Sequence, residues 1–148
     1  MKIPVNDVVS ELYPGDKMSD DSITIAGIVS AVSQHVHDEL GKHDIEIDNE
    51  KVNILKYVKT TKTPNGFTCS IPMCDISTRF NIDQKSIASI ELNCNGRRTY
   101  THNVSIMNPI FMDIVEEQMI NVVTMLINLL KTQLMFRRMT WKGQDGIQ

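Results

Sequence analysis

Between Ile110 and Met139 apolar residues fill most of the helical circle, and polar ones keep to one stripe. At about 100° per residue, Asp113, Glu117, Asn121, Thr124, Asn128, Lys131 and Thr132 fall within roughly 100° of one another. Ile114, Val115, Met119, Ile120, Val122, Val123, Met125, Leu126, Ile127, Leu129, Leu130, Leu134 and Phe136 occupy the rest. A surface helix has the opposite balance. The pattern predicts a long helix buried on several sides, by its own domain, by another subunit, or by both. Read as a subunit seam, its apolar arc points to Met119, Val122, Val123, Leu126, Leu129 and Leu130 as an oligomer interface.

Upstream, Val5, Val8, Val9 and Leu12 keep helical spacing until Pro14-Gly15. Ser19 or Asp20 then caps a second, narrowly amphipathic helix through Ile25, Ile28, Val29, Val32, Val36 and Leu40 to Gly41. From Asp44 the period becomes two, starting with the strict alternation Asp44-Ile45-Glu46-Ile47-Asp48. Residues 52–60 and 67–73 read as strands joined by the turn Thr63-Pro64-Asn65-Gly66. Residues 76–85 read as a connection with a short helical turn. Residues 86–93 and 97–106 form a second hairpin around Asn95-Gly96.

A plain two-residue loop there pairs Leu92 with Thr99, which puts Ile90 and Leu92 on the face opposite Tyr100 and Val104. A three-residue loop with Gly96 left-handed pairs Leu92 with Arg98 and Ile90 with Tyr100, and all four share a face. The second register is the one predicted. Asn108-Pro109 then opens the long helix, with Asp113, Glu116 and Glu117 at its positive end and Arg137 and Arg138 at its negative end. The expected fold is α+β: an antiparallel sheet of two hairpins with four to five strands, an N-terminal amphipathic helix, and a long, mostly buried C-terminal helix. Residues 1–141 form one domain, and 142–148 a polar tail.

Composition narrows the setting. The chain of 148 residues is 41% apolar and 22% charged, ordinary values for one globular domain. Three cysteines, with no apolar leader at the N-terminus, predict synthesis in a reducing cytoplasm and no disulfide framework. The least polar run, Met119 to Leu130, falls short of the roughly 20 residues a membrane span needs, so none is expected. Residues 1–50 carry eleven acidic against three basic side chains, and residues 51–148 seven against twelve. That asymmetry permits head-to-tail contact between copies. Scarce Ala with abundant Ile and Asn suggests AT-biased coding, common in phage and in some bacteria.

Candidate chemistry is sparse. Cys69 and Cys74 have tolerable spacing for zinc, but Cys94 in a turn and His102 well along a strand lie too far apart to complete one site, so no metal is expected. His35 and His37 point roughly 200° apart on a helix and read as solvated. Asp44, Glu46, Asp48 and Glu50 line one face of an extended segment, too widely spaced to chelate unaided. Basic residues gather at the hairpins: Lys56, Lys59 and Lys62 on the first, Arg97 and Arg98 on the second. Of these, Lys59, Lys62, Arg97 and Arg98 are the candidate partner contacts. No nucleophile elbow, zinc-protease, P-loop or dinucleotide motif occurs, so no catalytic residue and no cofactor is expected. The expected function is a non-enzymatic structural or assembly protein: a homo-oligomer that also meets other protein subunits, such as a phage or viral tail, neck or baseplate piece. Two alternatives are a small acidic chaperone or adaptor, and a module contacting nucleic acid through its basic hairpin tips.

Overall fold

Among the described residues, alternation of apolar and polar positions through the middle of the chain produces seven strands, and helical spacing on either side of them produces two helices. The computed structural model describes secondary structure for residues 21–147 and side chains for residues 25–136. The helix expected over Val5–Leu12 lies outside the described residues. The elements run α1 (Asp21–Leu40), β1 (Asp44–Ile47), β2 (Glu50–Asn53), a 3-10 turn (Ile54–Tyr57), β3 (Lys59–Thr63), β4 (Gly66–Ile71), a second 3-10 turn (Pro72–Cys74), β5 (Ile76–Ile82), β6 (Ile87–Cys94), β7 (Arg97–Ser105) and α2 (Phe111–Ile147). The fold is α+β. Through Ile147, α2 continues along the stretch that composition marks as a polar tail.

β1 and β2 form a separate two-stranded hairpin. Asp48 and Asn49 turn it, with φ of 53° and 67°. Asp and Asn tolerate this left-handed conformation better than other non-glycine residues. The turn breaks the expected row of carboxylates: Asp44 and Glu46 stay on β1, Asp48 sits in the turn, and Glu50 lies across the ladder opposite Ile47. The expected strand over 52–60 is broken too. Asn53 accepts a hydrogen bond from the Leu55 N–H at 3.1 Å and caps the 3-10 turn that buries Ile54.

The main sheet is a five-stranded antiparallel meander, β3-β4-β5-β6-β7. Its central strand is β5, in the segment read from sequence as a connection. Ile76, Thr78, Phe80 and Ile82 are buried and alternate with more exposed Ser77, Arg79 and Asn81. Ser, Thr and Asn at so many positions hide a strand whose second face is wet. Phe67 pairs with Phe80, and Phe80 with Ile90, so one face is apolar across the three middle strands.

The second hairpin differs from the expected register. Cys94 pairs with Arg97 around a two-residue Asn95-Gly96 loop, with φ of 54° and 77°. A bulge then shifts the ladder, so that Leu92 pairs with Tyr100, Ile90 with His102 and Ala88 with Val104. The apolar residues do share a face, but a bulge inside the strand achieves it rather than a longer loop.

Both helices cover that face and pack on each other. α1 buries Ile28, Val29, Val32, Val36 and Leu40. α2 buries Phe111, Met112, Val115, Met119, Val122, Val123, Leu126, Ile127 and Leu130. Its predicted polar stripe, Asp113 to Thr132, is exposed throughout. By length and composition Phe111–Phe136 is long and apolar enough to cross a membrane. The helix packs as a core element, and its open side carries Asp113, Glu117, Asn121, Asn128 and Lys131.

Candidate interaction surface

Five of the six side chains that the sequence marks as a seam are consumed by the chain's own core. Met119, Val122 and Leu130 are fully buried, and Val123 and Leu126 are 1% exposed. They face the sheet and α1, so they cannot also meet a second subunit while the domain is folded. Leu129 alone is only half-buried. The arc is wide because α2 packs on both the sheet and α1, and because one further flank is only partly covered by its own chain.

That flank lies over the β7 edge of the sheet. Ile114, Gln118, Met125 and Leu129 fall within about 60° of one another on α2 and are all half-buried. Gln118 accepts a hydrogen bond from the Tyr100 hydroxyl on β7. Withdrawal from water pushes the Tyr100 phenol up from its ordinary value. Between helix and sheet runs a groove of about 320 Å³ lined by Leu92, Thr99, Met125, Asn128, Leu129 and Thr132. Farther along the same helix, Met135 and Phe136 are 62% and 70% exposed. Near the turn that enters α2, Met107 and Ile110 are exposed as well.

The predicted basic contacts are not brought together. Lys59 and Lys62 sit on β3 and Arg97 and Arg98 on β7, the two opposite edges of the sheet. Four strand spacings, about 19 Å, separate the edges. Arg98 also faces Glu91 at 3.6 Å on the solvent side, and Arg79 lies 4.0 Å from the same carboxylate. Among the described residues the arrangement is two small charged sites, with no continuous basic track between them.

Two histidines prove to be ties between elements. His35 Nε2 lies 3.3 Å from the Glu116 carbonyl on α2. His37 faces the other way, as its spacing from His35 requires: Nδ1 is 3.0 Å from the Ser33 carbonyl and Nε2 is 3.0 Å from the Thr60 hydroxyl. Donation from Nδ1–H to the carbonyl leaves Nε2 to accept from Thr60. The Thr60 hydroxyl also contacts the Cys69 sulfur at 3.6 Å. The expectation of solvated helix-face histidines is therefore corrected; both link α1 to its neighbours. Ser30, Ser33, Gln34, His37, Thr60 and Lys62 line a polar groove there.

Cys69, 1% exposed, has its thiol pushed above the ordinary value of 9.0 by burial, against smaller lowering by the Thr60 hydrogen bond and the Lys62 charge. Among the described residues no three His, Cys, Asp or Glu side chains come together as metal ligands. The raised thiol makes a prediction about pH. Its stabilising contribution is full below 9.0, the unfolded value, and is lost as pH rises through the higher folded value. Urea titrations from pH 7 to 10 should show the wild type losing more stability above pH 9 than Cys69→Ala loses. Parallel curves would contradict the assignment.

The histidine ties were not legible in the sequence, and neither was the flank at Ile114, Gln118 and Met125. His-x-His on a helix signals only divergent directions, not what waits at each end. No family model, no curated protein and no solved structure matches this chain.

Proposed function

We propose that this protein is a non-enzymatic assembly subunit that self-associates through the uncovered flank of α2. One observation carries the reading: along one flank of a single helix, Ile114, Met125 and Leu129 are left half-covered and Phe136 is exposed, although most of the apolar arc is buried. Contiguous apolar surface of this kind marks an interaction site rather than an ordinary solvent face. Methionine suits such a face because its unbranched side chain adapts to a partner. The phage or viral setting suggested by the coding bias belongs to the same proposal.

Light scattering on the size-exclusion peak tests it. At tens of micromolar the chain should run as a dimer or larger species and persist at high salt, because apolar burial is not screened. A monomer at every concentration and salt would sink the proposal. A second reading, an adaptor that captures an extended segment of another protein, is favoured by the groove beside Leu92 and Thr99 lying next to an open sheet edge.

A further inference from the structure

Both helices begin at the same end of the sheet. The Asn65 carbonyl accepts from the Ile82 N–H at 2.9 Å, and the Ser86 carbonyl from the Ile106 N–H at 2.9 Å. The β3–β4 turn, the β5–β6 turn and the end of β7 therefore lie side by side, and α2 starts just beyond them at Phe111. The far end of α1 is tied to the opposite end of the sheet. There Asn53 donates to the Gly41 carbonyl at 2.9 Å, and the Ile54 N–H to the His43 carbonyl at 3.1 Å, just before β3 begins at Lys59. The two helices thus run the same way, with His35 beside the Glu116 carbonyl. Asp21 lies roughly four turns before His35, and Phe111 only about one and a half before Glu116, so α1 overhangs the start of α2 by about 13 Å. At this end lies a shoulder of apolar side chains. Met107 is 80% exposed and Ile110 56%, and Ile106 and Ile114 are half-buried beside them.

Residues 1–20 lie outside the described residues, and they are the chain that leads into α1 at this end. Their sequence supplies an occupant for the shoulder. At helical spacing Val5, Val8, Val9 and Leu12 fall within about 100° of one another, with Asn6, Asp7, Ser10 and Glu11 on the other side. Pro14-Gly15 is a turn signal between this stripe and α1. We propose that residues 4–13 fold back from that turn as an amphipathic cap, seating Val5, Val8, Val9 and Leu12 on Met107, Ile110 and Ile114.

Reach selects this site over the other uncovered apolar surface of α2. Fully extended, the chain from Asp21 back to Leu12 spans about 30 Å. Ile110 lies within that distance, about 13 Å along the axis from the start of α1. Met125 lies nearly four turns into α2, about 34 Å along the same axis, and Phe136 farther still. Leu12 therefore reaches the shoulder but not the Met125 groove. Scale agrees as well: ten helical residues span about 15 Å, enough to cross from Met107 to Ile114. A contiguous patch of this kind gains from cover in a way that single exposed apolar residues do not. Asp7 and Glu11, opposite the apolar stripe, stay clear of the exposed Asp113 and Glu117 of α2. The cap is independent of self-association: it takes the Ile114 end of the α2 flank and leaves Met125, Leu129 and Phe136 to a partner.

Paramagnetic broadening in the full chain tests the cap. A nitroxide is placed at Lys85→Cys, in the exposed β5–β6 turn beside the shoulder, or at Lys51→Cys, exposed on β2 at the opposite end. Both carry Cys94→Ser, since Cys69 and Cys74 are buried and the half-buried Cys94 would compete for the label. The amide signals of Val5, Val8, Val9 and Leu12 should lose most of their intensity with the label at position 85 and almost none with it at position 51. Val8→Asp with Val9→Asp should restore them while the signals of residues 25–136 stay in place. Undiminished signals with the label at position 85 overturn the cap. Equal losses from both labels overturn it too, because the segment would then visit the whole surface. A mixture of isotope-labelled wild type with unlabelled nitroxide-bearing chain separates the copies. Full broadening in that mixture makes the occupant a second copy's segment and overturns the intramolecular cap. No broadening there, with strong broadening within one chain, supports it whatever the oligomeric state.

Discussion

Leu126→Asp should unfold the domain, whatever its assembly state. Leu126 is 1% exposed near the middle of the buried arc of α2, with Val122, Val123 and Leu130 among its buried neighbours on that helix. The substitution removes an apolar side chain worth about 2–3 kcal/mol of burial and installs a carboxylate without a cationic partner designed for it. Together these should cost at least about 4 kcal/mol, against a total stability of about 5–15 kcal/mol for a domain of this kind. The expected result is loss of the far-UV helical signal or a sharply lowered urea midpoint. Asn128→Leu, on the exposed stripe, should leave both nearly unchanged. If Leu126→Asp instead kept its full helical signal and lost only oligomeric mass, Leu126 would lie at a seam and the burial argument would be wrong.

Much of this fold was legible because burial on one side of an element imposes a period on its sequence. The wide arc of α2 and its exposed stripe followed from a 3.6-residue repeat over more than twenty residues, too long to arise by chance. β5 was not legible for the converse reason. A central strand with one wet face needs apolar residues only at alternate positions, and here one of those positions is Thr78, whose hydroxyl donates to the Glu91 carbonyl at 2.9 Å. With Ser, Thr, Arg and Asn elsewhere, the segment resembles a loop. The β6–β7 register failed differently. Requiring the apolar residues to share a face was sound, but a bulge within the strand and a longer loop satisfy it equally, and only tertiary packing chooses between them.

The candidate surface was half legible. Periodicity shows how much of a helix is apolar but not which degrees of the arc face its own sheet. The six residues marked by the sequence lie near the middle of the apolar arc, and the domain's own core takes the middle of the arc. What remains for a partner is the less conspicuous flank with Ile114, Gln118 and Met125. Local sequence thus defines the elements, and the surface an assembly would use is whatever those elements leave uncovered.

Gly66→Ala should be nearly as damaging as a core substitution, although Gly66 looks like a routine turn residue in Pro64-Asn65-Gly66. In the structure Gly66 is the first residue of β4, paired with Thr63 on one side and Asn81 on the other. A β-carbon placed on it would lie 2.2 Å from the Phe80 carbonyl oxygen and 3.0 Å from the Asn81 Cα. Both are backbone atoms of the central strand, so no side chain can swing away, and β4 and β5 must move apart. That movement strains the clasp at the turn, where the Ile82 N–H donates to the Asn65 carbonyl at 2.9 Å and the Asn65 side-chain amide donates to the Ile82 carbonyl at 2.9 Å. The cost should reach about 3 kcal/mol, lowering Tm by roughly 10 °C in a chain of this size. Gly96→Ala makes the matched comparison: φ is +77°, but nothing lies within 4 Å of the added carbon. Only left-handed strain remains, about 1 kcal/mol, and a fall of a few degrees. Calorimetry of the two variants decides between a glycine kept for space and one kept for φ. If Gly96→Ala proved the more harmful, the close approach of β4 and β5 would be refuted.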